Sequence, residues 1–589
     1  MRGRDLPLVP PWARGVALSA LALVLTVWAW FPMFVAYPGT AIEDGHMFHF
    51  YIASSKAAIQ RYHELPLWNP FDCKGIPLWD YPENITASPI MWLTAGLTAT
   101  QTMIAWNVFH VAAGFVGMWL LARGELKLGR SAALVASCFW AFSVGHTTQY
   151  AGEHEALISF LDAPILLFLW RRAERNWSYV VGTALAFGWM VYDGATYGLP
   201  HIALLLGIET LTRVWPWRRG ANVLGRAAVV GVLAFLVGAS RLLPILDQFS
   251  EHKRPALYPD VDSLAHLNSL RDMYMLRSAG WRSHFPPQQY VFGEYLCYVG
   301  WLGFVICLLG LAASAAEASW LTFTGGVLVL LMLGHFSHYA PWSILHEHVF
   351  PFKQMRVPSR FRLLLMVPMA LWIAFATERV PRWVRSMSVR WEHAVRVAVL
   401  GAALLAAGDM VGLGQELIRV RFTDAPEQPV VASSHFYYGG PGLSNDFINF
   451  PKQNRAWTGC RSYEWSFKTD APVWEGDVPQ ARSTDDDAAH VMAVTRTTST
   501  FTVEVDASRP ARILLNSAYD KGWGSDVGSV VEQTHMVAVD VPAGHNVLHV
   551  RYWPKKLTLG LILTAIGLLI SFIALFRDAI DDAWRRFRT

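Results

Sequence analysis

Charged residues are scarce in this sequence. Only 16% of the 589 residues are Asp, Glu, Lys or Arg, whereas a soluble domain carries about 25%. This shortage excludes an ordinary soluble enzyme, and a formal net charge of +4 over this length gives no sign of a nucleic-acid partner. Hydrophobic residues make up 53% of the chain, and the 27 tryptophans suit bilayer interfaces. The composition is therefore that of a polytopic membrane protein.

Cysteine is also rare, and a nucleotide-binding loop is missing. Cys138, Cys297 and Cys307 lie in predicted membrane spans, whereas Cys73 and Cys460 lie in segments that we predict outside the cytoplasm. A disulfide between those last two is compatible with an oxidising compartment. No G-x-x-x-x-G-K-[ST] motif occurs, so we expect no nucleotide cofactor.

Runs of about 20 apolar residues predict twelve membrane spans. They lie near residues 16–36, 103–122, 131–149, 156–170, 179–192, 198–212, 226–245, 291–312, 319–335, 361–377, 394–412 and 557–576. Clusters of Arg and Lys fall on one side of this arrangement, which predicts that both termini are cytoplasmic. The first run is longer than a signal-peptide core and has no A-x-A site after it, so we expect a retained anchor.

This topology places three long segments outside the cytoplasm, at about 37–102, 246–290 and 413–556. The predicted fold class is thus a mainly α polytopic membrane protein with an extracytoplasmic β domain before its last helix. We divide it into a transmembrane domain (1–412), a β-rich domain (413–556) and a last helix with a basic tail (557–589).

Two carboxylates, Glu43 and Asp44, directly follow the uncharged first span. Thr40 and Glu43 have the spacing of a helix capping box, so Glu43 has a structural explanation. Asp44 does not, although an acid in a first helical turn also gains from the helix dipole. A helix from here to about His63 would put Asp44, Phe48, Tyr51 and Ser55 on one face. His46 and His49 could join a metal site or could simply be polar interfacial residues.

Prolines and glycines then mark a fixed, non-helical loop, in Leu65-Pro66-Leu67-Trp68-Asn69-Pro70, Gly75-Ile76-Pro77 and Ser88-Pro89. An acid after the first span, an amphipathic helix and these motifs in this order resemble the YfhO family of bacterial membrane proteins. That family resembles the GT-C superfamily of membrane glycosyltransferases, which use polyprenyl-phosphate sugars as donors. The resemblance extends over nearly the whole chain and implies a GT-C-like fold in the bacterial cytoplasmic membrane.

The resemblance also implies roles for particular residues. Asp44 matches the first-loop acid that acts as general base towards an extracytoplasmic acceptor, with Glu43 beside it and His49 in a substrate-binding position. Burial against lipid would raise the pKa of such a carboxyl towards a useful value. Glu153 and Glu155 match a second acidic site that could hold Mg²⁺ or Mn²⁺, although a solvated loop explains them as well.

A lipid-phosphate leaving group needs cations near the outer interface. Arg241, and the pair Arg356 and Arg360 around Pro358, have suitable positions, although interfacial arginines often serve only as anchors. The Arg356–Arg362 string also resembles the family pattern.

The segment before the last helix alternates like β-strands at about 490–497, 500–506, 511–516, 535–541 and 546–553. This pattern predicts an antiparallel β-sandwich, whose aromatic residues form either a core or a carbohydrate platform. The alternatives to a glycosyltransferase are a transporter or flippase and a non-catalytic scaffold for envelope assembly. We ranked the transporter lower because ionisable residues gather outside the predicted spans.

Overall fold

The computed structural model describes residues 11–35, 44–151, 154–214, 217–251, 273–275, 277, 295–355, 357–421, 432–439, 449–460 and 470–588. The α-helices are α1 (Pro11–Ala29), α2 (Pro32–Val35), α3 (Asp44–Lys56), α4 (Pro89–Leu93), α5 (Ala99–Trp119), α6 (Arg130–Ala141), α7 (Val144–Ala151), α8 (Ala163–Ala173), α9 (Trp177–Tyr192), α10 (Gly198–Leu211), α11 (Trp217–Glu251), α12 (Gly300–Ser314), α13 (Ser319–Met332), α14 (Pro341–His348), α15 (Phe361–Met387), α16 (Val389–Arg421), α17 (Phe450–Gln453) and α18 (Leu557–Arg588). The strands are β1 (Trp68–Asn69), β2 (Ile76–Pro77), β3 (Tyr437–Gly439), β4 (Arg455–Trp457), β5 (Ala481–Ser483), β6 (Ala489–Arg496), β7 (Thr500–Ala507), β8 (Ala511–Ala518), β9 (Trp523–Ser525), β10 (Ser529–Gln533), β11 (Met536–Val541) and β12 (Gly544–Tyr552).

Five helical stretches in the described part of the chain are long and apolar enough to cross a membrane. They are Ala99–Glu125, Arg219–Ser250, Pro358–Ser386, Val389–Arg419 and Leu557–Arg577, and four shorter apolar helices accompany them. The protein is therefore an integral membrane protein. Each of the twelve predicted spans overlaps a helix, but several of these helices are shorter than the roughly 20 residues that a bilayer requires.

Two of the predicted spans are broken. Residues 131–149 form α6 and α7, which are separated at Phe142 and Ser143, and residues 155–162 form a 3₁₀-helix before α8. A 3₁₀-helix rises about 2.0 Å per residue, so this stretch covers more depth than an α-helix of the same length. Helix α16 also runs on to Arg421, beyond the domain boundary predicted at residue 412.

The predicted β-sandwich is present and consists of two four-stranded sheets. Their strand orders are β10-β11-β8-β5 and β6-β7-β12-β9, and all pairings within them are antiparallel. Alternate residues such as Val503, Ile513, Val539 and Val550 are fully buried between the sheets, as expected for a sandwich core.

Residues 432–439 and 449–460 pack in a cluster separate from the sandwich core. Strands β3 and β4 pair in parallel, and Phe436, Tyr438 and Trp457 pack in a cluster with α3 residues such as Phe48 and Tyr51. The disulfide Cys73–Cys460 joins this unit to the first loop across 387 residues of sequence. A chain segment that we assigned to the β domain thus packs against the first loop.

The first loop also contacts the sandwich directly. The Trp68 ring lies 5.3 Å from the Trp523 ring and 4.6 Å from the Tyr552 ring. The Glu64 carboxylate accepts hydrogen bonds from the β6–β7 turn, including the Thr497 hydroxyl at 2.9 Å and the Ser499 amide at 2.9 Å. The first loop therefore lies between the helical bundle and the sandwich.

Candidate active site

A cavity of 280 Å³ lies where the first loop meets the helices, and we name it the loop cavity. Four chain segments line it: the first loop, the turn from α9 into α10, the last part of α11 and the segment before α15. Their lining residues include Pro82, Glu83, Tyr197, Pro200, Leu246, Phe249, Phe350 and Met355. Most of the lining is apolar, and Glu83 is its one carboxylate among the described residues.

A second cavity, of 610 Å³, adjoins the first among α9, α10 and α11, and we name it the membrane groove. Val191, Leu199 and Leu242 line both, so the two are neighbours. Among the residues that the structure describes, Thr210 is the only polar side chain lining the groove apart from the Trp170 indole. An apolar groove along membrane helices that leads to a more polar cavity is suited to an amphiphile.

Arg241 holds the loop that forms one wall of the loop cavity. Its guanidinium donates hydrogen bonds to the carbonyl oxygens of Tyr81 (3.1 Å) and Pro82 (3.3 Å), and also to those of Asn84 and Tyr192. The side chain is completely buried. These contacts make Arg241 a clamp between α11 and the first loop, and a direct contact with phosphate stays a prediction.

Helix α3 packs on the same stretch of the first loop. Tyr51 and Tyr81 have ring centroids 4.8 Å apart, and the Ser55 and Thr86 hydroxyls are 2.8 Å apart. Asp44 is the first residue of α3, and the sequence places it in line with Tyr51 and Ser55 on the helix surface. The helix face assigned to the base thus meets the segment that supplies Glu83 to the loop cavity.

The arginine turn before α15 borders the loop cavity as well. Met355 lines the cavity, and Arg356 is the next residue, outside the described part of the chain. The Arg360 guanidinium lies 4.4 Å from the centre of the Tyr197 ring, which also lines the cavity. Arg360 is 7% exposed, so any anion that it binds must be at least partly removed from water.

The other predicted site residues are spread over the fold. His49 is buried with its Nε2 3.1 Å from the Thr100 hydroxyl, and Glu155 is fully buried at the start of a 3₁₀-helix. Glu43 and Glu153 lie outside the described residues. Among the residues that are described, no three His, Cys, Asp or Glu side chains form a metal-binding group.

One expectation about charge is wrong. His110 of α5 lies inside a predicted span and bridges two carboxylates, those of Asp162 (Nδ1 to oxygen, 3.0 Å) and Asp193. Asp193 also accepts hydrogen bonds from the Ser88 hydroxyl (2.6 Å) and the Trp106 indole (2.9 Å). The helices therefore do contain ionisable residues, which pair with one another because an unpaired charge in the bundle would be costly.

Sequence reasoning missed Glu83. The signal was the second of two acids in Asp80-Tyr81-Pro82-Glu83, directly after a proline. Nothing local distinguishes that acid from a surface carboxylate, and only the packing of α10 and α11 around it makes it a lining residue.

No protein-family model matches the sequence, and no curated protein does. Among solved structures, the chain is similar to the arabinofuranosyltransferase AftD from Mycobacteria, with 18% identity over 68% of this chain and 27% of that one and a TM-score of 0.40. It is also similar to the apo oligosaccharyltransferase of Archaeoglobus fulgidus, with 11% identity over 76% of this chain and 64% of that one and a TM-score of 0.40. For ArnT from Cupriavidus metallidurans bound to undecaprenyl phosphate, the identity is 13% over 83% of this chain and 97% of that one, with a TM-score of 0.39.

The chain thus spans 27% of the length of AftD and 64% of that of the oligosaccharyltransferase. These are distant structural similarities to an arabinofuranosyltransferase, an oligosaccharyltransferase and ArnT. Because their TM-scores are near 0.4, we base the function on the contacts of this chain itself.

Proposed function

We propose that this protein is an integral membrane glycosyltransferase that transfers a sugar from a polyprenyl-phosphate donor to an extracytoplasmic acceptor of the bacterial cell envelope. The observation that supports it is the membrane groove adjoining the loop cavity. A polyprenyl chain is a long hydrocarbon with a polar head, and this pair of cavities matches such a molecule in polarity and order.

The groove would take up the prenyl chain at little desolvation cost, since its lining is almost wholly apolar. The head group would lie in the loop cavity, where Arg360 lies against the lining residue Tyr197. Arg356, which follows the lining residue Met355 in the sequence, is the second cation of the proposal. Arginine suits a phosphate because its planar donors can pair with two oxygens at once. Glu83 is placed to accept hydrogen bonds from sugar hydroxyls.

In the proposed reaction, Asp44 removes the proton from the acceptor hydroxyl as its oxygen attacks the anomeric carbon of the donor sugar. The bond from that carbon to the phosphate oxygen breaks, and polyprenyl phosphate leaves with the electron pair. Glu43 and His49 would support the site from α3 and its start, and Arg241 would fix the loop that carries Glu83. Binding of Mg²⁺ or Mn²⁺ by Glu153 and Glu155 remains a separate prediction.

The test uses the full-length protein in lipid nanodiscs, with synthetic polyprenyl-phosphate pentoses and hexoses as donors and neutral oligosaccharides as acceptors. Release of polyprenyl phosphate is measured, since transfer to any acceptor produces it. We expect release by the wild type and a loss of about 10²–10⁴-fold in Asp44→Asn, the range for removal of a general base. Asp486→Asn changes an exposed sandwich carboxylate in the same way and should retain full activity.

Three outcomes would count against the proposal. Full activity in Asp44→Asn would remove Asp44 from the base role. In sealed proteoliposomes, movement of an intact lipid-linked sugar across the bilayer without release of polyprenyl phosphate would favour the flippase, a function that the buried His110 network leaves open. Neither release nor movement with any donor would favour the scaffold.

A further inference from the structure

An open pocket of 400 Å³ lies on the sandwich, at the edge where β9 pairs with β12, and we name it the edge pocket. Its lining includes Gly524 of β9, Asp526, His549 and Arg551 of β12, and Trp553. None of these residues takes part in the reaction described above, and all of them lie outside the membrane-spanning helices.

The strand geometry explains why these side chains meet. Residues 548, 550 and 552 of β12 are fully buried in the sandwich core, so His549 and Arg551 stand on the opposite, exposed face. Trp553 follows the strand and is half-buried against the core. Arg551 is paired directly with Gly524. Because Gly524 has no side chain, the space beside Arg551 stays open, and a Cβ at this position would meet no atom within 4 Å.

The pocket offers three kinds of contact. Trp553 supplies part of an aromatic surface and is held by a hydrogen bond from its indole to the Thr558 hydroxyl (2.9 Å). The Arg551 guanidinium lies 4.5 Å from the centre of the Trp553 ring, which fixes its direction. The Asp526 carboxylate accepts a hydrogen bond from the His549 backbone amide (2.7 Å) through Oδ1, and its other oxygen has no partner among the described residues.

We propose that the edge pocket is a subsite for a neutral carbohydrate chain, namely the acceptor glycan; this rests on the proposed function. A sugar ring has an apolar face of C–H groups that packs on an aromatic ring, and hydroxyls at its rim that need both donors and acceptors. The aromatic ring is that of Trp553, the donors are Arg551 and His549, and the acceptor is Asp526. One carboxylate beside one guanidinium leaves the pocket without net charge, which favours an uncharged ligand over an anionic one.

The position of the pocket fits an acceptor that approaches the loop cavity. Asp520 and Lys521 immediately precede the strand that carries Gly524. The Lys521 ammonium contacts the Asp247 carboxylate at 2.6 Å, and the Gln248 amide donates to Asp520 at 3.4 Å. Asp247 and Gln248 belong to the last turns of α11, whose Leu246 and Phe249 line the loop cavity. The edge pocket and the loop cavity thus lie on either side of one junction.

The test measures binding of arrayed neutral hexasaccharides of glucose, mannose, galactose and arabinose to the full-length protein in nanodiscs of zwitterionic lipid. Gly524→Phe should fill the pocket without disturbing the fold, and Trp553→Ala should remove the aromatic surface. We expect each to weaken binding of the preferred glycan by about tenfold or more. Met492→Phe places the same ring on β6, at the opposite edge of the sheet, and should bind as the wild type does.

Absence of binding by the wild type, or equal binding by Gly524→Phe, would overturn the subsite. Binding of phosphatidylglycerol vesicles that is lost in Arg551→Ala, without any glycan binding, would overturn it in favour of a lipid headgroup site. The release assay separates this proposal from the proposed function. Glycan binding that depends on Gly524 and Trp553, without any release of polyprenyl phosphate, would support the subsite while the transferase assignment fails.

Discussion

Asp80 is a carboxyl group that the fold removes from water. It is 2% exposed and lies near the junction of the first loop, the end of α11 and the sandwich. Burial is the main cause that raises the pKa of Asp80 to about 7, and the neighbouring charges of Asp520 and Asp247 add to it, opposed by a hydrogen bond from Gln248. The Lys521 ammonium forms an ion pair with the Asp247 carboxylate.

The raised pKa of Asp80 predicts how the stability of the folded protein depends on pH. Between the ordinary pKa of 3.8 and about 7 the folded protein keeps the Asp80 proton while the unfolded chain loses it. Folding therefore becomes less favourable as pH rises through this window, by about 2–3 kcal/mol between pH 5 and pH 8. When both proteins are measured in one detergent, the unfolding temperature of Asp80→Asn should depend less steeply on pH than that of the wild type.

The matched comparison is Asp486→Asn, which removes an exposed carboxylate and should follow the wild-type curve. If the unfolding temperature of Asp80→Asn falls with pH as steeply as that of the wild type, then another group causes the dependence. Asp520 is the next to test, because burial raises its pKa as well.

At the scale of elements, the first loop is fastened on two sides. Arg241 ties it to α11 through carbonyl groups, and the Cys73–Cys460 disulfide ties it to the β3–β4 unit. Cys73 is fully buried, and its amide donates to the Gly459 carbonyl at 3.0 Å. The first loop thus depends on contacts from two distant parts of the chain.

Loss of the disulfide should loosen the first loop. We expect a Cys73→Ser and Cys460→Ser double variant to lose about 2–4 kcal/mol of stability, because the unfolded chain is no longer constrained. Thermal unfolding measures this, and reductant should reproduce the loss in the wild type once Cys73 becomes accessible. An unchanged unfolding temperature in the double variant, with a disulfide peptide absent from the wild type by mass spectrometry, would refute the bridge.

Secondary structure in the sandwich was readable from the sequence where strands are long. The alternation at 500–506 and 546–553 corresponds to β7 and β12, but the three-residue strands β5 and β9 gave no periodic signal. Short strands are specified by their neighbours, here β8 and β12, and not by their own residues. The 3₁₀-helix before α8 differs from the prediction for another reason, because its apolar run resembles part of a membrane span.

In the candidate site too, some features follow from the local sequence and others depend on long-range packing. A helix beginning at Asp44, with Tyr51 and Ser55 on its packed face, follows from local spacing and is found in the structure. The clamp role of Arg241 and the position of Glu83 depend on pairs more than 100 residues apart, such as Arg241 with Asn84. A single sequence carries no signal for such pairs.

At the scale of the whole molecule, the helices form a hydrophobic path and the first loop closes it. The membrane groove runs along α11, whose end also supports the loop cavity and contacts the sandwich. A lipid donor and a glycan acceptor would thus approach the first loop from opposite sides, one through the bilayer and the other from the aqueous face. In the proposed reaction, this arrangement would keep the two substrates apart until they meet at the carboxylates.

The groove can be blocked at one residue. Gly231 of α11 lines it, and a Cβ there would meet nothing within 4 Å, so Gly231→Phe should fill the groove without a clash. We expect KM for a long-chain polyprenyl-phosphate sugar to rise about tenfold or more, since several buried methylene groups lose their site. A water-soluble short-chain analogue should be affected little.

Gly225→Phe is the control, because Gly225 has equal space on the same helix but is not among the groove-lining residues. Equal KM values for the two variants with the long-chain donor would show that the prenyl chain binds elsewhere.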